Sequence, residues 1–221
     1  MSASLPLLGD PATSACAGCA GDCCVQHVVP LSGYDLWRLS GGLGVPWDAL
    51  VEIAEERHPL HFGFRLDRGA VHYHFRLKRR ASGACQLLLE LPGGHRRCGV
   101  HGLRPGACRV YPLVARDPER DTLSIGGHAI CPPERAARYL EAAPSLRSLL
   151  DEDGADDALY LRVLGRWDEL ARHTAVERPR TLDEFLGFID KAYRAIEPLR
   201  APERGAWQPA AYLLVDRLAV P

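Results

Sequence analysis

The sequence has almost no lysine, no excess of charge of either sign and no long apolar run. Of its 27 basic residues only Lys78 and Lys191 are lysines, and 28 acidic residues bring the formal net charge to -1. A chain of 221 residues without a basic excess has no global electrostatic attraction for nucleic acid or for an anionic membrane surface. We therefore expect neither as a partner.

The sequence also lacks a segment that would enter a membrane or direct secretion. No stretch of about 18 apolar residues is present, so no transmembrane helix is predicted. The N-terminal segment has no basic start, and its apolar run at residues 5–8 is too short for a signal peptide. We therefore expect a cytoplasmic protein, in which thiols stay reduced and clustered cysteines bind metal or act in redox chemistry.

Motifs of the common cofactor enzymes are missing as well. The sequence has no C-x3-C-x2-C triplet of the radical enzymes, no phosphate-binding loop and no G-x-G-x-x-G after a predicted strand. The two C-x2-C pairs of a zinc ribbon are also absent. These absences leave no visible site for ordinary cofactor-dependent chemistry.

The sequence does contain eight cysteines, all of them within residues 16–131. The rest of the chain has none and carries helical patterns instead. We therefore predict two parts, a cysteine-cluster metal-binding domain over residues 1–132 and a helical segment over residues 133–221 that packs on it. With 47% hydrophobic residues, the chain can form a substantial core.

Helix signals appear early in the first part. Ser32 suits the N-cap of a short helix that ends at Ser40, before a Gly-Gly-Leu-Gly break. Pro46 suits the first turn of a second helix, which we predict over residues 46–57.

Strand signals follow. Apolar residues alternate over 62–66 and again over 71–77, and the Asp-Arg-Gly turn at 67–69 between them predicts a β-hairpin. A third strand is predicted over 85–91, where it ends at a Pro-Gly-Gly turn, and a further strand pair is predicted beside 117–121.

Helical periodicity dominates the second part. Residues 181–184 have the form of a capping box, and apolar residues follow at helical spacing to Ile196. Leu159, Val163 and Trp167 mark another amphipathic helix. We expect these helices to bury Leu182, Ile189, Tyr193 and Trp167. The patterns together predict an α+β fold, with a small cysteine-cluster domain of short sheet and helices and a helical C-terminal segment.

Half of the cysteines form an N-terminal group: Cys16, Cys19, Cys23 and Cys24. Two thiolates separated by two residues can wrap one metal ion within a turn, and the small Ala-Gly residues between them let the backbone approach the sulfurs. The adjacent Cys23 and Cys24 are expected to diverge, so that one completes the local site while the other reaches elsewhere. A disulfide between neighbours would be strained, which favours ligation or free thiols.

The other cysteines lie after the predicted hairpin: Cys85, Cys98, Cys108 and Cys131. Four thiolates around Zn²⁺ or a [4Fe–4S]²⁺ core leave a net charge of about −2, which nearby arginines can offset while they lower thiol pKa values. These arginines are Arg96, Arg97, Arg104 and Arg109. Arg104 and Arg109 could instead bind an anionic substrate. Cys85 and Cys131 could instead be small buried apolar residues.

The order and spacing of the cysteines resemble the YkgJ-type cysteine-cluster family. The shared features are C-x2-C-x3-C-C from Cys16, C-x2-L from Cys85, C-x5-R-P-x2-C-R-x-Y-P from Cys98, and the final Cys131. That family is described as chelating zinc or iron through eight characteristic cysteines. The resemblance therefore implies that all eight cysteines of this chain are metal ligands. His101 departs from the pattern, since relatives often carry tyrosine there, and it could itself be a ligand.

Several functions stay open at this point. The first is a protein that holds a metal centre, which we expect to be an iron–sulfur cluster in preference to zinc. The second is a structural zinc module whose helices dock a partner protein. The third is an enzyme that modifies a protein or peptide, because some members of the resembling family are associated with lysine methylation of flagellin. The metal ion or cluster is the partner that all of them share.

Overall fold

The computed structural model describes residues 21–56, 62–67, 71–117, 122–126, 129–134, 136–137, 143–173, 180–201 and 206–219. The helices are α1 (Asp22–Gln26), α2 (Gly33–Leu43), α3 (Trp47–Leu50), α4 (Gly106–Val110), α5 (Ala143–His173), α6 (Leu182–Ile196) and α7 (Pro209–Asp216). The strands are β1 (Pro30–Leu31), β2 (Val51–Glu56), β3 (His72–Leu77), β4 (Leu88–Glu90), β5 (Arg96–Cys98), β6 (Leu113–Asp117) and β7 (Thr122–Ile125). The predicted α+β class and the helical C-terminal segment are confirmed.

Helix α2 begins where the sequence predicts. The Ser32 hydroxyl accepts a hydrogen bond from the Asp35 backbone N–H at 3.1 Å, and the Asp35 carboxylate accepts one from the Ser32 N–H at 3.2 Å. This reciprocal capping box satisfies backbone donors that the first helical turn would leave unpaired. The helix runs past the predicted end at Ser40 and ends before Gly44, whose φ of 64° lies in the left-handed region that favours glycine.

The predicted helix over residues 46–57 is wrong for most of its length. Only Trp47–Leu50 is helical, and the chain then continues as β2 from Val51 to Glu56. Strand β3 pairs with β2 along its whole length, from Val51↔Leu77 to Glu56↔His72. The ladder of hydrogen bonds to β3 therefore outweighs the helical spacing of the apolar residues.

Strand β3 is the central strand of a three-stranded antiparallel sheet in the order β1–β3–β2. The predicted hairpin between 62–66 and 71–77 is reduced to one bridge, in which Phe64 and Tyr73 exchange backbone hydrogen bonds of 2.8 Å each. The predicted turn residues 68 and 69 lie outside the described part of the chain. The main partners of β3 are thus β1 and β2, which come from earlier in the sequence.

Two smaller antiparallel pairs follow the sheet. Strand β4, shorter than the predicted 85–91, pairs with β5 from Leu88↔Cys98 to Glu90↔Arg96. The strand pair predicted beside residues 117–121 is present as β6 and β7. The β4–β5 pair matters for the site because its register fixes the position of one predicted ligand, Cys98.

The C-terminal helices pack on the sheet as predicted. Trp167, Ile189 and Tyr193 are buried, and Leu182 is partly buried against the same core. The rings of Phe64 and Phe185 stack with their centroids 4.1 Å apart, which joins the sheet region to α6. One apolar core therefore contains side chains from both sides of residue 132.

No helix within the described residues is long and apolar enough to cross a membrane. The division of the chain at residue 132 stays a prediction.

Candidate metal centre

The described part of the chain contains six of the predicted ligands, each half-buried and in the thiol form: Cys23, Cys24, Cys85, Cys98, Cys108 and Cys131. Cys16 and Cys19 lie outside the described residues. The ligand set of all eight cysteines therefore stays a prediction, and the structure describes the geometry of the other six.

Helix α1 carries the adjacent pair. Gly21 precedes this helix with a φ of 73°, and the Cys24 backbone N–H donates to the Gly21 carbonyl at 2.9 Å. The turn that results brings Cys23 Sγ and Cys24 Sγ to 4.0 Å, so the two side chains do not diverge as expected. Two thiolates bound about 2.3 Å from one tetrahedral metal lie about 3.8 Å apart, so this separation suits a shared centre.

Cys85 lies beside this pair although 61 positions separate it from Cys24 in the sequence. Its backbone N–H donates to the Cys24 carbonyl at 2.6 Å. Arg79 fixes the same approach, because its guanidinium donates to the Val25 carbonyl at the end of α1 and to the Gly83 carbonyl. Backbone hydrogen bonds thus join the N-terminal cysteine group to the later one.

Cys98 and Cys108 reach the site from β5 and α4. Cys98 lies opposite Leu88 in the β4–β5 pair, and the next residue, Gly99, donates to the Leu87 carbonyl at 2.8 Å. Helix α4 begins after Pro105 and is anchored to α2, since the Gly106 N–H donates to Asp35 Oδ1 at 3.0 Å. Asp35 therefore caps α2 and positions the helix that carries Cys108.

The pKa shifts of these thiols indicate that the cysteines lie within electrostatic reach of one another. Burial raises the pKa of Cys108, and the negative charges of Cys98, Cys85 and Cys23 raise it further. The hydrogen bond with Cys23 and burial raise the pKa of Cys24, and the charges of Cys85 and Cys98 add to this. Because thiolates within electrostatic reach repel one another, a cation bound among these cysteines would stabilise their deprotonated forms.

The pKa of Cys23 is lowered, whereas burial and neighbouring groups raise those of Cys24, Cys85 and Cys108. The hydrogen bond with Cys24 lowers the pKa of Cys23 to about 7, and the nearby charge of Arg104 contributes in the same direction. Among the predicted arginines, Arg104 thus acts on a thiol as expected. Arg109 instead forms ion pairs with Asp156 at 3.3 Å and Glu152 at 3.6 Å.

Cys131 is linked to the cluster through Tyr111. The Tyr111 hydroxyl forms a side-chain hydrogen bond with Cys131 and accepts one from the Ile130 N–H at 2.7 Å. The same hydroxyl lies 3.2 Å from His27 Nε2, just after α1. Tyr111 is the tyrosine of the R-x-Y-P sequence, so the motif contained its signal, but its bridging role depends on contacts that the sequence does not show.

Within the described residues, no three side chains of His, Cys, Asp or Glu surround one point closely enough to hold a metal ion. The donor chemistry nevertheless fits the predicted group, because thiols are the ligands of zinc and of iron–sulfur clusters rather than of magnesium or calcium. The described thiols therefore supply suitable donors from α1, β5, α4 and the segment before β4, and completion of a site requires them to close on the bound group.

Comparison with known proteins gives one match. A family model for the CxxCxxCC cysteine cluster, described as a "Putative zinc- or iron-chelating domain", matches residues 15–132, which is more than half of the chain. All eight cysteines fall within the matched segment. No curated protein and no solved structure matches the chain.

Proposed function

Since the chain belongs to the CxxCxxCC family and is a zinc- or iron-chelating protein, we propose that its centre is an iron–sulfur cluster. The proposed ligands are Cys16, Cys19, Cys23, Cys24, Cys85, Cys98, Cys108 and Cys131. When bound, such a cluster supplies either a redox centre or a rigid cross-link between chain segments. Residues 1–132 hold the cluster in this proposal, and residues 133–221 support them.

The approach of thiols from distant chain segments is the observation that carries this proposal. Cys23 and Cys24 on α1 come within electrostatic reach of Cys85, Cys98 and Cys108, which lie more than 60 positions later. Half-buried thiolates would repel one another, so these cysteines can ionise together only if a cation offsets their charge. A cluster of several iron atoms spans such a spread set of donors more easily than one ion does.

One distance favours zinc as the second candidate. The 4.0 Å between Cys23 Sγ and Cys24 Sγ matches two ligands of a single tetrahedral ion. In that case the centre would be a structural zinc module.

Anaerobic purification followed by iron, zinc and acid-labile sulfide analysis tests the proposal. Iron together with labile sulfide and visible charge-transfer absorption supports a cluster. Zinc without sulfide supports the second candidate, and the absence of both metals from protein grown with both would contradict either.

A pair of neighbouring variants tests the ligand role. Cys108→Ser removes one proposed thiol ligand on α4, so we expect the purified protein to lose most of its metal. Ala107→Ser introduces the same hydroxyl one position away, on an exposed part of α4. This control should keep the metal content of the unaltered protein. Equal metal content in both variants would show that Cys108 is not a ligand.

A further inference from the structure

A cleft of about 440 Å³ lies on the side of α4 that faces α2 and α5. Its main lining residues are Tyr34, Arg38, Arg109, Glu152, Glu197 and Arg200. Arg109 directly follows the proposed ligand Cys108, so the cleft borders the candidate metal centre. Three guanidinium groups thus face one cavity, in a chain whose overall charge is close to neutral.

Arg38 has more hydrogen-bond donors than acceptors around it. Its Nη2 donates to the Arg104 carbonyl at 2.5 Å, and its guanidinium carbon lies 5.7 Å from the centre of the Tyr34 ring. Its Nε is buried and has no acceptor among the described residues. A guanidinium carries five N–H donors, and each one that is buried without an acceptor costs free energy. Arg38 therefore keeps a buried donor, Nε, that no described acceptor satisfies.

The other two arginines share one carboxylate. Arg200 donates to both oxygens of Asp156, at 2.6 and 3.2 Å, and Arg109 donates to the same group at 3.3 Å. Trp207 Nε1 is a further donor to Asp156, at 2.9 Å. This buried carboxylate already accepts four hydrogen bonds, so it has no lone pair left to accept one from Arg38.

The charge of Arg38 is destabilised more than the carboxylates around it can offset. Burial lowers the pKa of Arg38 and the nearby positive charge of Arg109 lowers it further, whereas the charges of Asp35 and Asp156 act in the opposite direction. Glu197 lies at the other side of the cleft, where its carboxylate accepts a hydrogen bond from the Tyr34 hydroxyl at 3.4 Å. The cleft thus combines guanidinium donors at Arg38 and Arg109 with carboxylates at Glu152, which pairs with Arg109 at 3.6 Å, and at Glu197.

We propose that this cleft binds a small ligand through a carboxylate or phosphate group, with Arg38 and Arg109 as the main donors to the anion. Guanidinium groups match the planar or tetrahedral oxygens of such anions with paired hydrogen bonds. The carboxylates of Glu152 and Glu197 would accept hydrogen bonds from donor groups elsewhere on the same ligand. The proposal depends on the cleft and not on the identity of the metal.

Isothermal titration calorimetry on the purified full chain tests the proposal with inorganic phosphate and succinate as separate probes, at matched ionic strength in chloride buffer. We expect saturable binding of at least one probe at a single site. Tighter binding of phosphate would identify a phosphate ligand, and tighter binding of succinate would identify a carboxylate ligand. Saturable binding of neither would overturn the proposal.

Substitution of Arg38 locates the site. Arg38→Gln removes a charge-assisted donor and should weaken binding of the anion by at least about tenfold. Arg38→Lys keeps the charge and should weaken that binding less. Arg162→Gln is the matched control, because Arg162 pairs with Asp216 on the exposed side of α5. It should leave binding unchanged. Equal binding by the unaltered protein and both Arg38 variants would overturn the proposal. Unchanged metal content in Arg38→Gln would separate this result from loss of the metal centre.

Discussion

Asp153 and Asp157 are carboxyl groups that the folded protein keeps partly protonated. Burial raises the pKa of Asp153 to about 6 and that of Asp157 to about 7, and the negative charges of Asp35 and Asp156 add to both shifts. The folded state therefore binds protons that the unfolded chain releases near pH 4. The stability that these groups contribute is complete at acidic pH and is lost as the pH rises towards 7.

Asp157→Asn should remove the part of this loss of stability at rising pH that comes from Asp157. We expect the variant to raise the melting temperature by about 1–3 °C at pH 8 and to have little effect at pH 5.5, because a partly exposed carboxyl is screened by solvent. Thermal melts followed by circular dichroism at both pH values measure the difference. Asp151→Asn, at an exposed position of the same helix, is the control. An equal effect of Asp157→Asn at the two pH values would contradict the pKa shift.

Tyr111 is another residue whose role a single substitution can test. Tyr111→Phe leaves the Ile130 N–H without its acceptor and removes the hydrogen bond to Cys131. We expect a loss of about 1–2 kcal/mol in the free energy of unfolding. Faster metal release to a chelator should accompany it, and urea unfolding with a chelation time course measures both. Tyr212→Phe, on α7, should change neither quantity, and similar results for the two variants would show that the bridge is unimportant.

Helix α2 allows a sharper test at the scale of an element, because two of its glycines differ in their surroundings. A Cβ at Gly33 would lie 2.5 Å from Tyr160 Cε2 and 3.1 Å from Ile189 Cδ1, and both of these side chains are buried. A Cβ at Gly41 would meet nothing within 4 Å. Gly33 is therefore the point at which α2 approaches α5 and α6 closely.

Gly33→Ala should destabilise the protein by about 1–3 kcal/mol, since two packed side chains would have to move. Gly41→Ala should stabilise it by about 0.5–1 kcal/mol, because alanine has the higher helix propensity and the position is open. Urea unfolding of both variants measures the two values. Loss of stability in both, or in neither, would show that the contact with Tyr160 and Ile189 does not decide the outcome.

The elements themselves could be predicted where the signal is local. Short sequences predict an N-cap at Ser32 and a capping box at Thr181, and both residues form complete capping boxes in the structure. The predicted helix over 46–57 is wrong because the conformation of β2 depends on pairing with β3, about twenty residues later in the sequence. Only the fold brings that partner into place, so the spacing of apolar residues alone favoured a helix.

The candidate sites divide in the same way at the scale of the whole molecule. The cysteine motifs are local and dense, so the sequence identified the metal-binding family, although the ligand set itself stays a prediction. The sequence indicated only one part of the cleft beside α4, because it suggested that Arg109 could bind an anion. Its other members, among them Arg38 and Arg200, come from helices and loops far apart in the sequence. No local spacing connects them.

Removal of the metal should loosen only part of the molecule. The segment from Cys98 to Cys108 packs on the core mainly through Val100 and Leu103, and ordering it costs about 1–2 kcal/mol per residue. Metal–thiolate bonds can offset this cost, with about 10–16 kcal/mol in small zinc domains. Helices α5 and α6 instead pack on the shared apolar core, so they should stay helical.

Limited trypsin digestion after chelation measures this difference. Cleavage after Arg97, in β5, should become several-fold faster, and cleavage after Arg162, in α5, should not change. Circular dichroism should retain most of its helical signal. Protection of Arg97 in the metal-free protein, or rapid cleavage at Arg162, would contradict this division.

The shared core also sets an order of events during synthesis of the chain. Phe64 and Phe75 leave the ribosome before their packing partner Phe185 exists. At about 5–20 residues per second, the ~110 residues between Phe75 and Phe185 take roughly 5–20 s to translate. All eight cysteines are made within or before this interval, while one apolar face of the sheet still lacks its covering helices. All the proposed ligands are thus translated before the chain contains the helix that completes its core.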